Sequence, residues 1–483
     1  MQPLIRCPRL SRPQSAPELL AHPARPGLSI LAALRLGLFQ ACLGCLAVIF
    51  SGMLNRVMIS ELAFPGLLVG GALAFEQFVA PSRVLFGQIS DAHPLSGRRR
   101  IPYVLMGTAA FCVLAVLSVP LIFHVAMLFA VGSGWALSLG IAALCGLFAL
   151  YGLAVSLATT PYLALVIDRT EEQERSRAVG IIWCMLTVGI VIGAIASGIS
   201  LKSLDGISDP ALLEPVLFRF ISVVAVVVWS LTVLALWGME PPRLERHASS
   251  DQPREDSVTL PQAWALITSS RQVLVFFLFL VLFTLGLFLQ DPVLESYGAQ
   301  VFAMAISDTT QLNAFWGVGT LLGLLLAGLW IVPRLGKLAT ARLGCQLIVA
   351  SLLLLLLCGL NPSVPMLKLV LLLFGLSAGI ATNSALCLML DLTLPQATGT
   401  FVGVWGLAQA LSRAMGKLIG GGLYDLGRLL PLGSGPYPPF ALVLGVEALV
   451  ALAALLALER VNVRQFREDT DLGLRRILAM ELE

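Results

Sequence analysis

Long apolar stretches separated by short polar breaks run the length of the chain. A helix crossing the hydrocarbon core of a bilayer needs about 20 apolar residues. Twelve stretches fit: 36–57, 66–86, 102–123, 136–167, 178–201, 216–239, 272–289, 312–332, 341–360, 366–390, 399–423 and 440–458. The pattern predicts an all-α membrane protein of twelve transmembrane helices. The 136–167 stretch exceeds one crossing and is expected to tilt or to run past the membrane. One long polar interruption divides the spans six and six. The expected units are an N-terminal tail (1–34), a first six-helix half (35–239), a linker (240–271), a second six-helix half (272–460) and a C-terminal tail (461–483). Within the linker, 260–270 reads as a short interfacial helix. Residues 1–27 are rich in Pro and Arg and lack the apolar core of a secretory signal, so they read as a cytosolic tail or an organelle-targeting sequence.

Composition narrows the class. Of 483 residues 58% are hydrophobic and 12% charged, too few polar groups to cover a soluble protein of this length. A soluble enzyme, a nucleic-acid binder and a disordered chain are excluded. The net charge of +3 is too small to imply a polyanionic partner. Placement says more than the total, because Lys and Arg gather on cytoplasmic loops. Twenty-three of the 31 basic residues fall on one alternating set of segments, and Lys202, Lys368 and Arg428 on the other. Both termini are predicted to be cytoplasmic.

The halves read as copies. Segment 158–170, ATTPYLALVIDRT, aligns with 381–393, ATNSALCLMLDLT, with six of thirteen positions identical. The polar matches Thr159/Thr382, Asp168/Asp391 and Thr170/Thr393 keep step. Two six-span halves joined by a cytoplasmic linker describe the major facilitator architecture, in two pseudo-symmetric halves. Between the second and third spans, Gly87 and Asp91 precede Gly97, Arg98, Arg99 and Arg100. A glycine allows close helix packing, and an aspartate at a helix end can pair with loop arginines. With Asp168, Arg175, Arg177 and Asp391 at the equivalent junctions, these form an expected cytoplasmic gate. Residues 92–96 interrupt the usual motif spacing, and a cluster that serves only to set topology is the alternative.

Charge within a span costs roughly 2.5–3.5 kcal/mol on insertion scales, so each case needs a partner or a role. Asn55, Arg56 and Glu61 close the first span on the non-cytoplasmic side; Gln290, Asp291 and Glu295 close the seventh. An Arg56–Asp291 ion pair is expected to latch the halves there, with independent interfacial charges as the alternative. Glu76 and Gln77 lie mid-way along the second span, and Arg83 shares the Glu76 face. On the eleventh span Gln409, Arg413 and Lys417 recur every four residues as one polar stripe. The stripe faces the interior, or its cations snorkel to a headgroup layer. Cys42 and Cys45 sit in an apolar run and read as core residues, and no histidine lies mid-span. No metal site and no catalytic set is expected, so the chain does not read as an enzyme.

Four strings carry a resemblance: 54–62 (LNRVMISEL), 77–91 (QFVAPSRVLFGQISD), 289–295 (LQDPVLE) and 405–413 (WGLAQALSR). Together they resemble the PucC/LhaA family, the bacteriochlorophyll-delivery branch of the major facilitator superfamily, over about 30–468. The 77–91 string is most similar to members from oxygenic phototrophs. The resemblance implies delivery of chlorophyll or bacteriochlorophyll as bound cargo, or pigment insertion, during light-harvesting or photosystem assembly. It implies residence in an inner or photosynthetic membrane, intracytoplasmic or thylakoid. The implied partners are the lipid bilayer, antenna or photosystem subunits and a tetrapyrrole pigment, not nucleic acid. A pigment Mg²⁺ takes oxygen or nitrogen ligands, which Gln77, Asn383 and Gln409 can supply, with Glu76, Arg413 and Lys417 around the same cavity. Trp183, Trp316 and Trp405 either face the ring or simply pack. The competing expectation is a proton-coupled secondary transporter in which Glu76, Asp91 or Glu447 titrates.

Overall fold

The computed structural model describes residues 29–95, 97–132, 134–170, 172–202, 209–240, 271–391, 398–430 and 435–462. The tails, the expected interfacial helix and most of the linker lie outside the described residues. The first helix, α1 (Ile30–Val48), starts where the Ser29 hydroxyl accepts from the amide of Ala32 at 3.2 Å. It continues as two π-helical segments, Ile49–Leu54 and Val57–Glu61. Next come α2 (Gly66–Phe78) and α3 (Ser82–Ala92), separated by a turn that contains Pro81. Proline offers no amide donor and breaks a helix at that depth. The first half is completed by α4 (Ile101–Val131), α5 (Gly134–Arg169), α6 (Glu172–Ser200) and α7 (Pro210–Leu236).

The second half opens with α8 (Arg271–Phe288) and the short α9 (Leu294–Phe302), which flank a break at Pro292. Then α10 (Ile306–Leu326) runs through a π segment, Ala327–Ile331, into α11 (Val332–Leu335). The last helices are α12 (Lys337–Cys358), α13 (Val364–Asp391), α14 (Thr398–Leu429) and α15 (Tyr437–Glu459). At 36 residues, α5 extends about 54 Å, well past the roughly 30 Å hydrocarbon core, in line with the long apolar stretch in the sequence.

Among the described residues, nine helical stretches are long and apolar enough to cross a membrane. Twelve were expected. The three that fall short are the second, seventh and eleventh. The second is cut after 13 residues, the seventh is described as an apolar stretch over Leu274–Phe288, and α14 carries the polar stripe. These same three elements hold the polar cleft described below.

Without a strong hydrophobic drive between helices in lipid, close packing of small residues holds the bundle. A methyl on Gly107 of α4 would meet the Ala158 backbone of α5, and one on Gly344 of α12 would meet Ala381 of α13. Ala158 and Ala381 are the aligned first positions of the sequence repeat, so both halves use the same helix crossing. Within α1, Cys42 is buried and Cys45 packs against Gly193 of α6; both are free thiols in the core, as their apolar setting predicts.

Candidate functional site

At the basic end of the bundle an ion pair to Asp168 comes from an arginine outside the expected gate set. Arg100, not Arg98 or Arg99, reaches Asp168 at 3.2 Å and donates to the Ser90 hydroxyl at 2.8 Å. Arg98 spends its backbone on a turn with Leu95. Glu240 accepts from the amides of Arg99 (2.7 Å) and Ile101 (2.9 Å), capping the start of α4. The physical reason is position: Arg100 sits at the helix start and points into the bundle, while the preceding residues ride the turn. Gly87 of α3 faces Thr160 of α5, where an added methyl would meet only the Thr160 methyl at 3.4 Å, so the helices here do not approach closely enough to require glycine. The side chains of Asp91, Arg175, Arg177 and Asp391 lie outside the described residues. At the same end Arg35 donates to the Trp237 carbonyl (2.8 Å) and the Asn462 amide to the Gln272 side chain (3.1 Å), each within one half.

At the opposite end the halves are tied together. Arg56 is buried, donates to the Thr309 hydroxyl and the Met304 carbonyl (3.2 Å), and pairs with Glu61 at 3.4 Å. The expected Arg56–Asp291 pair is thereby corrected. The Asp291 carboxylate faces Lys417 at 4.0 Å, and its backbone carbonyl accepts from Asn55 at 3.2 Å. The break at Pro292 explains this: it frees the Asp291 carbonyl toward α1 and turns the side chain toward α14. Glu295 is fully enclosed, accepts from Asn313 at 2.5 Å, and lies against the bare backbone of Gly52 in the π segment. Gln290 is buried beside it. Asp425 accepts from the amides of Gly66 and Leu67, both at 2.7 Å.

Between these ends the halves meet along a cleft between α2 and α14. Gly66 and Gly70 of α2 press against the backbone of Gly421 and Lys417 of α14 at its non-basic end. Farther along, Glu76 and Gln77 lie on α2, Arg83 at the start of α3 and Arg413 on α14. Gln77 donates toward Glu76 at 3.4 Å. Arg413 lies 4.4 Å over the ring of Phe288 at the end of α8. Gln409 follows one turn along the stripe. Glu447 of α15 is fully buried behind the Leu289–Asp291 break, its carboxylate turned to that break with no closed hydrogen bond. Of the stripe, Lys417 is buried against Asp291, Gln409 is half-buried and Arg413 is exposed.

Asn383 is not part of the cleft. Its amide donates to the Leu324 carbonyl at 2.9 Å and its oxygen faces Cys387, so it pins the strand of backbone where α10 turns π-helical. Trp405 is buried edge-on against Phe276 at 4.7 Å, a packing role, while Trp183 stands 53% exposed on α6. Sequence reasoning missed Asp425, Glu240, Thr309 and Asn313. Asp425 was within reach of it: the stripe 409, 413, 417 continues through 421 to 425.

An all-helical bundle, two halves joined across one end, and broken helices around a polar cleft define a membrane protein of the major facilitator fold. Residues 53–466 match the family described as PUCC protein, and the chain belongs to that family. It is 30% identical over 433 residues to "Protein PucC" of Cereibacter sphaeroides, covering 89% of this chain and 91% of that one. It is 32% identical over 431 residues to the "Bacteriochlorophyll synthase 44.5 kDa chain" of Rhodobacter capsulatus, covering 87% and 93%. Among solved structures, it resembles an inward-facing bacterial homologue of the lysosomal transporter Spinster, with TM-score 0.64, 14% identity, and 91% and 98% of the two chains covered. An inward-facing bacterial homologue of the iron transporter ferroportin superposes with TM-score 0.63 at 17% identity, covering 90% and 99%. At such identities these likenesses speak for the fold alone.

Proposed function

We propose that this chain is an assembly factor that carries chlorophyll or bacteriochlorophyll to light-harvesting or photosystem proteins, or holds those proteins while pigment is inserted. The observation that carries the reading is the row of polar side chains on the facing helices α2 and α14, Glu76 and Gln77 on one and Arg413 against Phe288 on the other, in a chain of the PUCC family. The relative named for bacteriochlorophyll synthase supports the pigment class. Gln77 donates its amide toward Glu76, and its carbonyl is an oxygen donor of the kind a pigment Mg²⁺ takes, as is that of Gln409. Phe75 and Phe78, edge to face at 6.1 Å, supply apolar wall. These groups bind and orient; the reading is of a carrier rather than a catalyst. It places the chain in an inner or photosynthetic membrane with both termini in the cytoplasm, next to antenna or photosystem subunits.

A second reading, proton-coupled transport of a small molecule, draws on one feature. The two halves form the fold of solved transporters such as the bacterial Spinster homologue. A two-half bundle of that kind suits rocking about a central site. The test is purification in mild detergent followed by an absorption spectrum. Co-purified pigment and antenna protein supports assembly. A colourless, partner-free chain that moves a solute into liposomes supports transport and sinks the first reading.

A further inference from the structure

The packing of α8 on α15 sets Glu447 against the break that follows α8. The two helices run antiparallel, and two contacts fix their register. At the basic end the Asn462 amide donates to the Gln272 side chain at 3.1 Å. Farther in, a methyl on Gly286 would lie 3.0 Å from the Ala451 backbone. One helical turn on from Gly286 is Gln290, and one turn back from Ala451 is Glu447. Antiparallel packing therefore brings these two side chains to one level. Glu447 is 0% exposed and Gln290 3%.

Both carry oxygens with nothing to meet. Among the described residues, Oε1 and Oε2 of Glu447 and Oε1 of Gln290 accept no hydrogen bond, and Glu447 closes no ion pair. Glu295, by contrast, keeps Asn313 at 2.5 Å. The described surroundings add no charged partner. Toward the basic end, Phe283, Gly286, Cys345, Ile348, Ala451 and Ala454 of α8, α12 and α15 enclose a small apolar hollow. Toward the other end, Phe440 of α15 meets the Tyr297 ring at 5.3 Å, and the Tyr297 hydroxyl is spent on the Leu355 carbonyl. The cations of α14 are engaged elsewhere: Lys417 faces Asp291, and Arg413 lies over Phe288.

A carboxylate taken out of water without a partner is costly. Here three buried oxygens share one level just past the C-terminal end of α8, and a helix end of that polarity carries partial negative charge. All of these features favour a cation. Oxygen donors select a hard ion. One carboxylate balances one positive charge, and among the described residues no group of three or more His, Cys, Asp or Glu side chains is placed to hold a metal ion of higher charge. Interrupted membrane helices hold coupling cations in this manner.

We propose that Glu447 and Gln290 form a site for a monovalent alkali cation, sodium, at the junction of α8 and α15. Both residues belong to the second half, so the site does not depend on what the α2–α14 cleft carries. An ion held there fastens the helix break to α15 and steadies Asp291, the neighbour of Gln290 that faces Lys417.

The test is thermal unfolding of the purified full chain in detergent, at fixed pH and ionic strength, with sodium chloride exchanged for choline chloride. Sodium is expected to raise the melting temperature with a saturating dose response, and radiolabelled sodium to bind at one ion per chain. Gln290→Ala should weaken sodium binding at least fivefold. Glu447→Gln removes the uncompensated charge. It should melt no lower than the parent in sodium-free buffer and no higher when sodium is added, a pattern that misfolding does not produce. If Glu447→Gln fails to fold, sodium binding to the unaltered chain decides, and no saturable binding there overturns the site. Sodium binding retained in Glu447→Gln, or stabilisation by choline equal to that by sodium, also overturns it. Melting temperatures that follow pH but not sodium assign these oxygens to a proton and sink the cation site.

Discussion

Gly66 donates its amide N–H to a carboxylate oxygen of Asp425 at 2.7 Å, so a helix of the first half is capped by a side chain of the second. The first N–H groups of any helix lack internal partners, and a negative charge there also favours the helix dipole. The residue before α2 is Pro65, which supplies no side-chain cap. Asp425 thus does for α2 what its own sequence cannot, and ties the halves where the cleft closes.

Removing this cap should loosen that end. Asp425→Ala leaves two amides unmet and is expected to cost about 1–2 kcal/mol, with Asp425→Asn costing less. The melting temperature in detergent measures the loss. In a background without native cysteines, a cysteine at Ser60 should label faster with an impermeant thiol reagent in the Ala variant.

Arg56 is the central cation of the closed end, and its removal takes the ion-pair partner from Glu61 and the donor from Thr309 and the Met304 carbonyl, leaving the buried Glu295 without its compensating charge nearby. Arg56→Gln is expected to destabilise by about 3–5 kcal/mol, as for other buried charges that lose a partner. Pairing it with Glu295→Gln should recover part of the stability. If the double variant melts no higher than Arg56→Gln alone, Glu295 is not the residue that Arg56 compensates.

Partner choice at Asp291 can be settled by charge exchange. Swapping Lys417 and Asp291 as a double variant should restore more stability or activity than swapping Arg56 and Asp291. A double-mutant cycle with a larger coupling for the Arg56 exchange would contradict the geometry.

The glycine contacts at the cleft apex differ in severity. A methyl at Gly70 would strike the Lys417 backbone, which cannot yield, whereas one at Gly71 meets the flexible end of Leu418 at 3.4 Å. Gly70→Ala should separate α2 from α14 and lower the melting temperature; Gly71→Ala should stay within about 0.5 kcal/mol of the parent.

At the basic end, Arg100→Ala should matter more than Arg98→Ala or Arg99→Ala. The Asp168 side chain is 52% exposed, so that ion pair by itself contributes little. The larger share comes from the buried bond to Ser90, worth about 1–2 kcal/mol. Thermal unfolding of the three single variants measures the ranking.

Much of this molecule was legible from one chain. The apolar runs set the membrane class, because a bilayer core sorts sequence by length and charge alone. The repeat 158–170 with 381–393 marked equivalent helix crossings, since a duplicated small residue keeps its packing duty. The four-residue spacing of Gln409, Arg413 and Lys417 marked a single face, because an α-helix repeats every 3.6 residues. What the sequence could not decide was which charge meets which. Arg100 rather than its two neighbours takes Asp168, Lys417 rather than Arg56 faces Asp291, Asp425 caps a helix 359 residues away, and Asn383 pins a π segment instead of lining the cleft. Each choice depends on where breaks at Pro81 and Pro292 turn the backbone and on how helices from separate halves cross. Periodicity fixes the face of one helix; only the packed bundle determines what that face meets.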